Sequence, residues 1–162
     1  MLTYTEVSKN KAYSVLLIFV FLIFIIGLGF LASQMYNQPG ILFIAVIFSV
    51  VSAFISYFFS DKITLAISGA KEIDLKTHQE LYRIVENLTI TAGLPMPRVY
   101  VIEDTAMNAF ATGRNPKHAV VCATTGLLSR LDKTELEGVL AHELSHIGNY
   151  DIRFMTLVVV MV

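Results

Sequence analysis

The sequence predicts an α+β protein held in a membrane, in which an N-terminal transmembrane helical hairpin precedes a small strand-containing domain with one metal-binding helix. Three observations point there. Two long runs without a charged residue, Ala12 to Ala32 and Ile41 to Phe59, open the chain. Past Asp61 the composition turns to that of a water-exposed domain, with helix and strand patterns in alternation. Within that domain the pattern H-E-x-x-H stands at His142 to His146.

Composition supports the same division. The 162 residues have room for one modest domain, but 55% hydrophobic and 15% charged residues are too apolar for a typical soluble one. A formal net charge of -1 leaves no basic footprint, so nucleic acid is not expected as a partner. The single cysteine, Cys122, has no intrachain disulfide partner and reads as a buried apolar residue.

Each uncharged run is about the 20 residues a helix needs to cross the hydrocarbon. Lys9 and Lys11 precede the first run in the manner of a signal peptide, but the run is long for one and a second span follows closely, so retention as a hairpin is expected. Asn37, Pro39 and Gly40 suit the reversal between them. Lysines at 9, 11, 62 and 71 flank the hairpin, and the positive-inside bias puts both flanks in the cytoplasm.

In the domain, Thr77-His78-Gln79-Glu80 fits a capping box, and Leu81, Ile84, Val85 and Leu88 follow at helical spacing, which predicts a helix from Thr77 to about Ala92 ended by Gly93. Arg98 to Ile102 reads as a strand. Met107 to Thr112 and Ala119 to Ala123 read as the arms of a small hairpin around the turn residues Gly113 to Lys117. Gly126 to Arg130 predicts a short helix. Asp132 and Glu135 are spaced as a cap for the next one, whose apolar stripe is Leu136, Val139, Leu140, Leu144 and Ile147. An unbroken helix from His146 to Phe154 would rise roughly 12 Å toward the apolar run that begins at Phe154. That run stops after about nine residues, short of a complete span. The expected organisation is a cytoplasmic N-terminus at 1–11, the hairpin at 12–60 with spans 12–32 and 41–59, a cytoplasmic domain carrying the H-E-x-x-H helix at 61–153, and the start of a third transmembrane helix at 154–162.

Residues i and i+4 share a helix face, so His142 and His146 can converge on one metal ion while Glu143 reaches a water beside it. Two neutral imidazoles suit Zn2+, which keeps an open position for water and lowers its pKa to about 7. Glu143 would then take the proton and deliver it to the leaving amine. His78 and His118, each beside a predicted helix start or turn, read as ordinary surface residues.

Asn108-Ala109-Phe110-Ala111-Thr112-Gly113, Thr125-Gly126-Leu127-Leu128 and the extended motif His142-Glu143-Leu144-Ser145-His146-Ile147-Gly148-Asn149-Tyr150-Asp151, together with the membrane hairpin, resemble the HtpX-type membrane zinc metalloproteases of the HExxH gluzincin class. The resemblance covers essentially the whole chain. It implies a zincin-like domain and an integral, multi-pass membrane endopeptidase of protein quality control, with Zn2+ as cofactor, misfolded or membrane proteins as substrates, and catalysis on the cytoplasmic face. It also implies a peptide-binding edge strand, with Asn108 and Ala109 as substrate contacts, and a third ligand, a glutamate, expected beyond Val162. Asp151, the only acidic residue after His146, lies too close to match that ligand and reads either as support for one or as an exposed helix-end residue. The rival readings are a CAAX-type prenyl protease relative and a truncated membrane-anchored binding module. Oligomeric state is left open.

Overall fold

The computed structural model describes residues 4–161. Helix α1 spans Tyr4–Met35 and α2 spans Gly40–Ile67, and both contain stretches long and apolar enough to cross a membrane. Asn37 turns the chain between them with φ at 50°, a left-handed value that asparagine tolerates. The polar side chains buried along the pair are small, with Ser14, Ser33, Ser49, Ser56 and Ser60 among them. A Cβ on Gly29 would stand 2.2 Å from the Ala45 Cβ, so glycine is what lets the two backbones approach there.

Four strands follow: β1 (Lys71–Glu72), β2 (Arg98–Ile102), β3 (Ala109–Thr112) and β4 (Val120–Thr124), in the sheet order β1-β2-β4-β3. The expected hairpin is the antiparallel β3–β4 pair, with the turn completed by a 3-10 segment at Pro116–His118. The parallel pairing of β2 with β4, and the short β1, were not expected from sequence. β3 begins at Ala109 rather than Met107. Thr124 Oγ1 donates to the Ala106 carbonyl at 2.6 Å and accepts the Asn108 N–H at 3.0 Å, so a side chain replaces the ladder just before the strand.

Alternation along β2 and β4 explains how the sheet is held. Val99, Val101, Val121 and Ala123 face one way, into the core shared with α3 (Gln79–Ala92) and α5 (Lys133–Asn149). Tyr100, Ile102, Val120 and Cys122 face the other way, against Leu65 near the end of α2. Both faces are therefore covered, and the central strands are largely apolar between their polar end residues, Arg98 and Thr124, as buried parallel strands require. Burial pushes the Cys122 thiol up to about 12, so it stays neutral.

Helix α3 starts two residues later than Thr77. The Asp74 carboxylate accepts the N–H groups of Lys76 and Thr77, and the Thr77 hydroxyl turns back to Asp74, so the hydroxyl is not free to cap the helix. These bonds hold the Asp74 carboxyl below the usual range. At the other end Gly93 takes φ of 66°, the left-handed cap position. The short helix α4 is Thr125–Leu128, capped by Thr124. The Asp132 and Glu135 signals form a complete capping box on α5.

The structure corrects the unbroken helix after His146. Tyr150 takes φ of 64° and ends α5, and α6 (Asp151–Met161) starts afresh against α1 and α2. Lys11 lies 4.2 Å from the Tyr150 ring centroid, and Arg153 lies 5.7 Å from it. The tertiary contact from Lys11 and the local one from Arg153 accompany a conformation that tyrosine rarely adopts. Val162 lies outside the described residues.

Candidate metal centre

Helix α5 turns Leu136, Leu140, Leu144 and Ile147 into the core, which leaves His142, Glu143 and His146 on the side facing β3 and solvent. One turn separates the two histidines, and their Nε2 atoms stand 3.3 Å apart. Two nitrogens each about 2.05 Å from a tetrahedral ion would be separated by about 3.3 Å. The pair therefore fits zinc.

The outer nitrogen of His146 is also accounted for. Its Nδ1 lies 2.8 Å from Asp151 Oδ2, a contact in which the ring N–H donates to the carboxylate and leaves the Nε2 lone pair free for a metal. The other Asp151 oxygen accepts from Asn10 Nδ2 on α1, which also donates to the Asn149 carbonyl at 3.1 Å. A run of hydrogen bonds thus joins the first long apolar helix to His146. Among the described residues no third His, Cys, Asp or Glu completes a metal-holding group with the two histidines.

Glu143 is anchored from the sheet. Its Oε2 accepts the Ala111 N–H at 3.1 Å. Just before that strand the Asn108 carbonyl is taken by the Thr124 N–H at 3.0 Å. Alternation then turns the main-chain groups of Asn108, Phe110 and Thr112 toward β4, and those of Ala109 and Ala111 toward the free edge. The two candidate contacts consequently differ: Ala109 offers N–H and C=O at the edge, whereas Asn108 has only its exposed side chain to offer. A cleft of about 560 Å³ opens beside this edge, lined by Thr64, Phe110, Ala111, Phe154 and Met155 among others.

Sequence reasoning missed Ala111 and Asn10. The first was within reach, because Ala111 is two residues from Ala109 and so shares its edge. The second was not, since a lone asparagine before a transmembrane run carries no sign of a partner some 140 positions away. His78 and His118 stand apart from the centre, both exposed, with His118 Nδ1 at 2.8 Å from Asn115 Oδ1.

Residues 75–162 match the model for peptidase family M48. A protease HtpX homolog of Tropheryma whipplei (strain Twist) is 48% identical over 155 residues, which is 96% of this chain and 53% of that protein. The Streptococcus pneumoniae (strain Hungary19A-6) homolog is 40% identical over 161 residues, 98% of this chain and 54% of that protein. For the homolog of Streptococcus thermophilus (strain ATCC BAA-491 / LMD-9) the figure is 42% over 154 residues. The chain spans about half the length of the curated relatives it matches.

Proposed function

This chain belongs to peptidase family M48, and from that premise we propose that it supplies two zinc ligands, His142 and His146, and the general base, Glu143, of a membrane-bound zinc endopeptidase. The observation that carries the reading is the 3.3 Å spacing of two Nε2 atoms, one of them on a ring already oriented by Asp151. Zinc, when bound, supplies Lewis acidity, making a water molecule acidic near neutral pH and polarising the substrate carbonyl.

The chain's own residues do the rest. An extended peptide adds to the free edge of β3 by main-chain hydrogen bonds to Ala109, with the Asn108 side chain beside it. Because Ala111 N–H is spent on Glu143, the strand that aligns the peptide also holds the base. The two alanines lie about 6.6 Å apart along the strand, so the base sits within about two residues of the pairing point. A Glu143 oxygen takes one proton from the attacking water as its oxygen bonds to the peptide carbon. The same proton passes to the amide nitrogen as the C–N bond breaks, and the water's second proton leaves the new carboxylic acid for the departing amine, which gives a carboxylate and an ammonium group.

Asp151 and Asn10 are positioning residues that fix the ring of His146. Because Asn10 belongs to α1, the centre lies at the membrane boundary, which favours misfolded or membrane proteins and their cytoplasmic loops as substrates. The lysines flanking the hairpin favour a cytoplasmic domain. We take 12–60 as the hairpin and 61–153 as the catalytic domain.

The test is cleavage of a denatured protein by the Glu143→Gln variant. The expected result is a rate lower by about 10²–10⁴-fold with zinc content unchanged. Cleavage at the wild-type rate would remove Glu143 as the base. A protein that binds denatured chains tightly and never cleaves them would favour the binding-module reading.

A further inference from the structure

The charges of this chain are segregated. Six of its twelve lysines and arginines, Lys11, Lys62, Arg98, Arg114, Lys117 and Arg153, line two adjoining cavities that share Lys117. Only one of its thirteen carboxylates, Asp61, lines either of them. The cavities measure about 430 and 330 Å³. A near-neutral molecule thus carries a concentrated positive rim and an acidic remainder.

The rim lies where the apolar helices give way to the domain. Phe58 and Phe59 of α2 line the larger cavity on the hydrocarbon side, both partly exposed, and Asp61 and Lys62 follow them directly. The cations are held in place by local chemistry. Arg98 is fixed by Asp61 at 2.9 Å. The Arg114 guanidinium stands 5.2 Å from the Phe58 ring centroid, and Lys62 stands 5.6 Å from that of Phe59. Arg153 donates to the Arg114 carbonyl at 2.8 Å, which ties α6 to the β3–β4 turn. Among the described residues only Arg98 of the six is in an ion pair.

We propose that this rim is a binding site for the headgroup of an anionic glycerophospholipid, with its phosphodiester between Arg114, Lys117 and Lys62 and its acyl chains along Phe58 and Phe59. A free phosphate would use the cations and leave the aromatic floor idle, whereas a lipid uses both. Three of the cations, Arg98, Arg114 and Lys117, come from strands and turns distant in sequence from the membrane helices, so the site exists only when the domain is folded onto the hairpin. Bound lipid would then fasten the domain to the bilayer beside Tyr150 and Asp151. The proposal rests on α1 and α2 being membrane helices, and it is independent of the peptidase chemistry.

The test uses the protein purified in dodecyl maltoside and titrated with dioctanoyl phosphatidylglycerol, dioctanoyl phosphatidylcholine or inorganic phosphate while the melting midpoint is read. Phosphatidylglycerol should raise the midpoint, and the other two should not. The double variant Arg114→Gln/Lys117→Gln should weaken the phosphatidylglycerol response about 25-fold in concentration, at about fivefold per cation. Arg83→Gln/Lys133→Gln, an equal charge change on exposed helices of the domain, should leave it unaltered. If the first pair fails to fold, Lys117→Glu alone, at an exposed turn position, should still weaken it by fivefold or more. An equal response to phosphatidylcholine or to phosphate, or an equal loss in the Arg83/Lys133 pair, would overturn the proposal. Failure to co-float with neutral phosphatidylcholine vesicles would instead contradict the membrane reading on which it rests.

Discussion

Along the apolar runs of α1 and α2 most large side chains point outward and small polar ones are buried, whereas in the domain most large side chains point inward. Ile23 and Phe43 are 70% and 69% exposed, while Ser14 and Ser49 are at most 1% exposed. In the domain Leu140 and Ile147 are wholly buried. The difference teaches that two solvents shape one chain. Hydrocarbon accepts the outward face of the hairpin, so its cohesion comes from close backbone approach, while water drives the domain to bury its apolar stripe. The candidate metal centre lies at the join, with His146 on the domain helix and Asn10 on the hairpin.

The largest effect that would sharpen this contrast is at Leu140. Leu140→Ala should cost the domain about 2–5 kcal/mol, because it empties a core position, while Ile23→Ala on the lipid-facing side of α1 should change stability by less than about 0.5 kcal/mol. Urea or thermal melts in detergent measure both. Equal losses would mean that the outward residues of α1 are packed against protein.

A smaller effect is expected within the hairpin. Gly29→Ala places a methyl group against Ala45 and should lower stability by about 1–3 kcal/mol, whereas Gly27→Ala meets nothing within 4 Å and should be tolerated. A melt in which the two variants coincide would break the account of close approach.

The last effect is at the join, and it is on metal affinity. Asp151→Ala should weaken zinc binding about 10–100-fold, and Asn10→Ala, one bond further out, should weaken it less than about 10-fold. Competition with a chelating dye reads both. An Asn10→Ala loss as large as that of Asp151→Ala would mean that Asn10 orders α5 and α6 themselves and does more than orient a carboxylate.

Local signals were legible in the sequence where they acted alone. The capping box of Asp132 and Glu135 and the left-handed Gly93 stand where the pattern puts them. The same signal failed at Thr77 because Asp74 competes for its hydroxyl and its N–H. What sequence could not show was tertiary. The parallel β2–β4 pairing depends on strands 22 positions apart in register, Arg98 with Val120. At the break at Tyr150 the ring meets Lys11 from the first helix, a contact between residues far apart in sequence. The H-E-x-x-H spacing was readable because one helical turn fixes it, but its support was not, since Ala111 and Asn10 reach it from a strand and from another helix.

The most direct test of the metal centre is X-ray absorption at the zinc edge of the zinc-loaded protein, compared with His142→Ala and His146→Ala. The account predicts two imidazole nitrogens at about 2.0–2.1 Å, with the outer-ring scattering halved in each variant. A first shell that is unchanged when either histidine is removed, or one dominated by sulfur at about 2.3 Å, would contradict it.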